Sequence, residues 1–260
     1  MSVLTSAQNP LVKDVRRAVA QGRLTERGYA VAEGFHLLEE ALRSDCEIHA
    51  ILTTEAVREA VEGHVRRLPR LKVTVVGDTA FSLIASTETS QGVITLVKPP
   101  AWNWDHLFRG RSLVVVVDGV QDPGNAGAIA RVAEAFGATG CLFLKGAASP
   151  YHPKTLRAAA GSLFRLPFLE GIAPEIASAA VRQRRLDIYA AMPHGDTAIT
   201  EADLSRRVAI VVGSEGRGVS EPMRAGARGL RIPTAGVESL NVATSAAIIL
   251  YEARRQRTLQ

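Results

Sequence analysis

The sequence has few cysteines and no long apolar run. Its two cysteines, Cys46 and Cys141, lie far apart and form no CxxC pair. This argues against a disulfide framework and against a metal site, so we predict that each cysteine is a small buried hydrophobic residue. No apolar stretch approaches the length that spans a bilayer, and no basic patch followed by an apolar segment appears near the start. We therefore predict a cytoplasmic protein without a membrane partner and without a metal.

Acidic residues do not outnumber basic ones. Lys and Arg total 31 against 26 Asp and Glu, which gives a net charge of +5 and a pI of about 9.5. A basic surface suits a nucleic-acid partner. Most of the basic residues are arginine, whose planar guanidinium can donate hydrogen bonds to two phosphate oxygens at once. Biased codon usage explains the same preference, so the charge permits an RNA partner without identifying one.

The chain of 260 residues is long enough for two domains. A first helix is entered through Asn9-Pro10, and an alternation of strands and helices then predicts a modest α/β domain over residues 1–97. Its predicted strands are 29–32, 48–52, 72–76 and 93–97, and its predicted helices are 35–43, 55–67 and 79–85. Two consecutive prolines at 99 and 100 interrupt regular structure, so residues 98–111 are predicted to be a linker.

A second α/β domain is predicted over residues 112–260. Residues 113–117 are apolar without alternation, which is typical of a strand buried on both faces of a parallel sheet. Further strands are predicted at 141–144, 187–191, 208–212 and 230–232, with helices between most of them. Such doubly wound sheets bind ligands at the loops that leave the carboxyl ends of their strands.

Three of these loops combine residues that turns and helix caps alone do not require. The first runs from Asp118 to Arg131, and Asn125 is predicted to cap a helix that starts at residue 126. The second, 212–220, holds three glycines around Glu215, whose carboxylate would repel phosphate, so an adenosine-type ligand without phosphates fits better. The third, 232–252, leads into a helix that is predicted to begin at Ser239 or Leu240 and to be buried on most of its surface.

Segments 122–131, 212–218 and 232–242 resemble the three motifs of the SpoU-type RNA ribose 2′-O-methyltransferases of the SPOUT superfamily. Segment 5–13, Glu33-Gly34 and Gln91-Gly92-Val93 resemble an L30e-like substrate-binding domain found in one branch of that family. The resemblance therefore covers nearly the whole chain. It departs from the usual pattern at Thr234, where the family has methionine, and at Ala243, where serine is frequent.

The resemblance implies a C-terminal parallel-sheet α/β domain with a deep trefoil knot, preceded by the smaller L30e-like α/β domain. It also implies S-adenosylmethionine as the cofactor and a homodimer whose active site includes residues of both subunits. The implied catalytic residues are Asn125, Arg131, Glu215, Ser239 and Asn241. The implied cofactor-binding residues are Leu144, Gly213, Gly218, Ile232 and Leu240. The implied RNA-binding residues are Lys154, Arg157 and Arg165, and the basic stretch of the first helix predicts Arg16 and Arg17 as further phosphate contacts; a solvated helix face is the alternative for all of them.

Methyl transfer to a ribose hydroxyl needs removal of its proton or stabilisation of its oxyanion. Arg131 is expected to be essential, and two roles are open for it. It holds the adjacent phosphate and stabilises developing negative charge, or it acts as the general base that the resemblance implies, which is chemically demanding because a guanidinium does not lose its proton in proteins. Asn125, Ser239 and Asn241 are expected to orient the substrate and the loops, and Glu215 to orient Arg131 or the RNA.

Three functions remain open on the sequence alone. The first is ribose 2′-O-methylation of RNA, with 23S-type ribosomal RNA favoured over tRNA because the L30e-like domain occurs in rRNA-directed relatives. The second is a non-catalytic RNA-binding or assembly protein, against which the retained polar residues of the three loops argue. The third is methylation of a base nitrogen on a similar knotted fold.

Overall fold

A computed structural model describes residues 3–44, 46–68 and 70–258 and divides the chain into two units. The first unit comprises Met1–Ala101 and Tyr151–Arg165, and the second comprises Trp102–Pro150 and Leu166–Gln260. The sequence did not foresee that a segment from the C-terminal half belongs to the first unit. The domain limits 1–97, 98–111 and 112–260 stay a prediction. No helix among the described residues is both long and apolar enough to cross a membrane.

The first unit contains a mixed four-stranded sheet with helices on both faces. Its strands are β1 (Ala30–Glu33), β2 (Glu47–Thr53), β3 (Val73–Val75) and β4 (Val93–Lys98), in the order β1-β4-β2-β3. Only β2 and β3 run parallel, because β4 pairs antiparallel with both β1 and β2. The helices of this part are α1 (Pro10–Gln21), α2 (Phe35–Arg43), α3 (Arg58–Val65) and α4 (Asp78–Ser82).

Each face of this sheet has its own core. On one face, α1 and α4 pack through residues such as Val15 and Phe81, and on the other, α2 and α3 pack through Leu38 and Val61. Helix α1 begins where the sequence predicts, because the Asn9 side chain accepts a hydrogen bond from the Leu11 amide and a proline occupies the first helical position.

The second unit is built on a seven-stranded sheet in which every neighbouring pair is parallel. Its strands are β5 (Leu113–Asp118), β6 (Gly140–Leu144), β7 (Phe168–Ile172), β8 (Asp187–Ala191), β9 (Thr197–Ala198), β10 (Val208–Gly213) and β11 (Arg228–Arg231), in the order β7-β6-β5-β10-β8-β11-β9. The remaining helices are α5 (Trp104–Leu107), α6 (Pro123–Ala135), α7 (Pro153–Ala159), α8 (Pro174–Gln183), α9 (Glu221–Arg224) and α10 (Val242–Thr258), of which α7 belongs to the first unit.

The α/β class of both units, with a parallel sheet in the second, is confirmed. Every residue of β5 is buried, as expected for a strand covered on both faces. Strands β7 and β9 were not predicted. The expected linker contains the short helix α5, whose N-terminus is capped by Asn103 and His106 in a capping box. Cys141 is buried as predicted, whereas Cys46 is only half-buried.

The C-terminal helix differs from the prediction in its start. It begins at Val242 rather than at residue 239 or 240, and its fully buried residues form one stripe that includes Ala246, Ile249 and Ala253. Tyr251 on the same helix is 57% exposed. Twelve of its 17 residues are buried or half-buried, in agreement with the expected burial, and the fully buried ones lie along a single face.

Candidate active site

A cavity opens at the carboxyl ends of β8, β10 and β11 in the second unit. These three strands are neighbours in the sheet and run parallel, so their last residues meet at one edge. The cavity measures about 320 Å³, within the roughly 300–1,000 Å³ range of small-molecule sites. Its aliphatic lining residues are Ala191, Val212, Leu230, Ile232, Leu240, Val242 and Ile249. An apolar wall of this kind suits the flat face of a nucleobase.

The glycine-rich loop after β10 forms the next wall. Ser214 and Gly218 exchange backbone hydrogen bonds of 3.2 and 2.8 Å, which close the loop into a tight turn. A Cβ atom on Gly213 would lie 2.2 Å from the carbonyl carbon of Gly218, so only glycine fits where the two backbone segments meet. The buried carboxylate of Asp118, at the end of β5, accepts a hydrogen bond from the Ser220 amide at 2.7 Å and holds the far end of the loop.

Three predicted catalytic residues, one from each loop, meet in a hydrogen-bonded triangle. The Asn125 amide donates to Oε1 of Glu215 at 2.9 Å. The Asn241 amide donates to Oδ1 of Asn125 at 3.2 Å and to the same Glu215 oxygen at 3.3 Å. The oxygen of Asn241 meanwhile accepts from the Ala243 and Thr244 amides, so this one side chain caps α10 and joins the other two loops.

Asn125 does not cap helix α6, contrary to the prediction. The helix begins at Pro123, and Asp122 is the capping residue, whose carboxylate accepts from the Asn125 amide at 2.8 Å. Proline fits the first turn because an N–H at that position has no hydrogen-bond acceptor within the helix, so its absence costs nothing. The Asn125 side chain is thereby released from local capping and is available to contact Glu215.

The remaining predicted residues of the second unit separate into three groups. Gly213, Gly218, Ile232, Ser239 and Leu240 line the cavity. Arg131 is exposed on α6 and has no ion pair with any residue that the structure describes. Leu144 does not line the cavity; it is buried in the core of the sheet.

Several residues of the cavity were not singled out from the sequence. Met192 and Pro193 follow β8, Glu238 lies in the third loop, and Ser245 lies one turn into α10. The strand order explains why the first two were missed: β8 and β10 are neighbours in space although β9 separates them along the chain. Asp118 carried a signal in the sequence, because a carboxylate that directly ends a buried apolar strand needs a partner.

The fit to an S-adenosylmethionine-type ligand can be judged from the chemistry of this lining. Aliphatic side chains, exposed backbone groups of the glycine loop and the hydroxyls of Ser214, Ser239 and Ser245 offer contacts for an adenosine and an amino acid moiety. Glu215 and Glu238 also line the cavity, and no Lys, Arg or His is among its described lining residues. The residues present therefore fit a cationic adenosine derivative and disfavour a nucleotide phosphate. No group of three or more His, Cys, Asp or Glu suited to a metal ion occurs within residues 3–44, 46–68 and 70–258.

Two of the predicted RNA-binding arginines are engaged by buried glutamates inside the first unit. Arg165 donates to Glu40 at 2.7 Å, and Arg157 lies 3.7 Å from a Glu33 oxygen and donates to Ser86. Glu33 and Glu40 have side chains only 4% and 8% exposed, so these contacts help to fix residues 151–165 on the first unit.

The other predicted RNA contacts are more accessible. Arg16 and Lys154 are exposed, and Arg17 is paired with Glu26 on the surface. Their contact with RNA stays a prediction.

Comparison with known proteins identifies the family. The SpoU rRNA Methylase family matches residues 112–251, and the MRM3-like substrate binding domain matches residues 9–95. The chain belongs to the SpoU rRNA methylase family. The predicted resemblance is thus confirmed, and the first unit contains the substrate-binding domain that accompanies this methylase.

Two curated relatives and one solved structure illustrate the similarity of this SpoU methylase to known proteins. A 23S rRNA (guanosine(2553)-2′-O)-methyltransferase of Bacillus subtilis is 31% identical over 98% of this chain and 100% of its own length. A 23S rRNA (uridine(2479)-2′-O)-methyltransferase of Streptomyces viridochromogenes is 34% identical over 72% of this chain and 68% of its own. The crystal structure of the SpoU methyltransferase AviRb of Streptomyces viridochromogenes in complex with AdoMet superposes with a TM-score of 0.85 at 27% identity, covering 96% of this chain and 99% of that one.

Proposed function

We propose that this SpoU methylase transfers the methyl group of S-adenosylmethionine to a ribose 2′-hydroxyl of structured RNA, and that its substrate is 23S-type ribosomal RNA. The observation that carries the proposal is the triangle of Asn125, Glu215 and Asn241 beside a cavity whose lining suits a cationic ligand. A protein that only bound RNA would need neither feature. The relatives named as 23S rRNA methyltransferases support the choice of RNA, and a cytoplasmic location belongs to the same proposal.

The cofactor supplies an electrophilic methyl group on a sulfonium centre, so the protein's main task is alignment. In our proposal the cavity residues Gly213, Gly218, Ile232 and Leu240 hold the adenosine part. Asn125 and Asn241 fix the first and third loops on Glu215, and Ser239 lies where the cavity meets the third loop. A set of loops tied together in this way keeps the methyl group and the hydroxyl in register.

Arg131 would bind the phosphate beside the target ribose and stabilise the oxyanion that develops there. Its exposure on α6, without an ion pair among the described residues, leaves its full charge available for such a contact. A cation close to the 2′-oxygen favours loss of the hydroxyl proton to solvent, because it lowers the energy of the resulting anion. Arg131→Ala should therefore abolish methyl transfer while leaving cofactor binding intact.

We propose residues 1–97 as the RNA substrate-binding domain, 98–111 as the linker and 112–260 as the methyltransferase domain. Arg16 and Lys154 are exposed and are predicted phosphate contacts. Arg17, Arg157 and Arg165 would add contacts only through donors that their carboxylate partners leave free.

A trefoil knot in residues 112–260 also belongs to the proposal. Strand β11 lies between β8 and β9, although both of those strands precede it in the chain. A Cβ atom on Gly195, in the segment that joins β8 to β9, would lie 2.5 Å from the carbonyl carbon of Gly229 in β11. The last strand thus passes very close to an earlier connection, as threading of the chain requires.

Homodimer formation is the remaining part of the proposal. Tyr251 of α10 is 57% exposed, and its ring packs edge-on against Phe136 at 5.8 Å, so an aromatic pair faces outward beside the active-site helices. Size-exclusion chromatography with light scattering should give twice the chain mass of 27.8 kDa. Tyr251→Arg should give monomers, whereas Ile176→Arg, at an equally exposed isoleucine on α8, should not. A monomeric wild-type protein would refute the dimer.

Methyl transfer with labelled cofactor tests the central claim. The protein is incubated with labelled S-adenosylmethionine and unmodified 23S rRNA or tRNA, and the RNA is hydrolysed with alkali. A 2′-O-methyl group blocks cleavage, so label in an alkali-resistant dinucleotide from 23S rRNA supports the proposal. Label only in mononucleotides indicates base methylation, label only in tRNA refutes the rRNA assignment, and RNA binding without any transfer supports the non-catalytic alternative.

A further inference from the structure

The charged side chains of the cofactor cavity are all of one sign. Glu215 and Glu238 line it together with apolar and hydroxyl-bearing residues, and no cationic side chain is among the described residues of the lining. Arg217 lies within the glycine-rich loop but does not line the cavity. The site therefore presents two negative charges to whatever it binds.

Among the described residues, no strong ion pair neutralises either carboxylate. Glu215 accepts hydrogen bonds from the amides of Asn125 and Asn241, which are neutral donors that fix the carboxylate without cancelling its charge. Glu238 lies 3.8 Å from Nε2 of His194, and both side chains are 83% exposed, so this contact is weak. Both negative charges remain available to act on a ligand.

Methyl transfer changes the charge of the ligand in this cavity by one unit. The bond between sulfur and the methyl carbon breaks, a bond between the ribose oxygen and that carbon forms, and the hydroxyl proton leaves to solvent. The sulfur keeps the electron pair of the broken bond, so the sulfonium becomes a neutral thioether. S-adenosylmethionine and S-adenosylhomocysteine thus differ by the methyl group and its positive charge, while the adenosine and the amino acid moiety are unchanged.

We propose that Glu215 and Glu238 let the cavity distinguish substrate from product by charge. They attract the sulfonium form, lose that attraction once the methyl group has left, and so favour exchange of product for fresh cofactor. The inference rests on the proposed function, because it presupposes that S-adenosylmethionine binds in this cavity. Glu238 becomes a residue that sets ligand specificity, and Glu215 combines that effect with its position in the triangle.

The size of the effect follows from the exposure of the groups. An exposed carboxylate a few ångströms from a unit charge changes an affinity by about twofold to fivefold. Removing the charge of Glu238 should lower the preference for S-adenosylmethionine over S-adenosylhomocysteine by about that factor. Added salt should reduce the wild-type preference in the same direction, because the interaction is screened.

Isothermal titration of the full-length protein with each of the two ligands, without RNA, tests the proposal. Glu238→Gln removes the charge and keeps the shape, and Glu215→Gln also keeps an oxygen that accepts from Asn125 and Asn241. The matched control is Glu175→Gln, at an exposed glutamate of α8 outside the cavity. We expect weaker binding of S-adenosylmethionine to both cavity variants, nearly unchanged binding of S-adenosylhomocysteine, and no change of either in the control.

The outcomes separate this inference from the function on which it rests. Equal weakening of both ligands would make Glu238 a shape contact, and unchanged affinities would make it irrelevant; either result overturns the charge proposal while the methyltransferase proposal stands. Wild-type protein that binds neither ligand would overturn both.

Discussion

Arg257, near the end of α10, should contribute more to the stability of the second unit than any other arginine on that helix. Its guanidinium donates to the carbonyl oxygens of Arg111 at 2.8 Å, of Ser112 and Leu204 at 3.0 Å each, and of Arg206. These carbonyls belong to the chain just before β5 and just before β10. One side chain therefore ties the helix that lines the cofactor cavity to the starts of two central strands.

The cost of removing this side chain can be worked from its contacts. A hydrogen bond to a charged group contributes about 1.5–3 kcal/mol, but such contributions are not additive, and dehydration of the half-buried cation offsets part of the gain. Burial and the neighbouring Arg111 lower the pKa of Arg257 to about 10, so the group is still charged at neutral pH. We expect Arg257→Met to lower the free energy of unfolding by about 3 kcal/mol, which corresponds to a fall in Tm of about 6–12 °C.

Thermal unfolding followed by circular dichroism measures this effect at pH 7. The control is Arg254→Met, one turn earlier on α10, because Arg254 is exposed and donates to no carbonyl among the described residues. Arg257→Lys should fall between the wild type and the methionine variant, since an ammonium cannot reach all four oxygens. A methionine variant that melts within about 2 °C of the wild type would refute the reasoning.

Three further predictions concern other parts of the chain. Asn241→Ala should reduce kcat/KM at least about tenfold and lower the free energy of unfolding by about 1 kcal/mol, because the α10 cap and the triangle are both lost. Asn241→Ser keeps an uncharged capping oxygen but removes the amide that donates to Glu215, so its Tm in the same melting assay should stay close to that of the wild type while its activity falls. Gly195→Ala should lower the free energy of unfolding in urea by about 1–3 kcal/mol, because the added Cβ would clash with the Gly229 backbone. Gly216→Ala is the control and should leave that free energy unchanged, because no atom lies within 4 Å of the added Cβ. Burial raises the pKa of Glu33, but hydrogen bonds from Ser86, Ser90 and Thr87 outweigh burial and set it below the ordinary value of 4.5. The stabilisation by Glu33 is therefore complete above pH 4.5 and is lost as the pH falls through the lowered pKa, so melting curves between pH 3 and 7 should show a smaller acid-induced loss in Glu33→Gln.

The class of fold and the residues of the three loops could be predicted from local patterns in the chain. Buried strands such as β5 were predictable because an unbroken apolar run has one stable environment, the middle of a parallel sheet. The glycine-rich loop after β10 was predictable because its residues combine tight turns with exposed backbone groups. The catalytic and cofactor-binding residues were predicted from the family motifs, because those motifs specify both the residues and their order in the chain.

Which of these residues contact one another depends on how the strands are arranged in the folded protein. Whether Asn125 caps a helix or contacts Glu215 depends on the partner across the sheet, and local sequence does not encode that partner. The short strands β7 and β9 were missed for the same reason, because sheet neighbours rather than their own residues stabilise them. The association of residues 151–165 with the first unit rests on glutamates far away in the chain. The local sequence determines which side chains of a segment can be buried, whereas the order of the strands determines which residues they pack against. The cofactor cavity forms only because β8, β10 and β11 lie side by side.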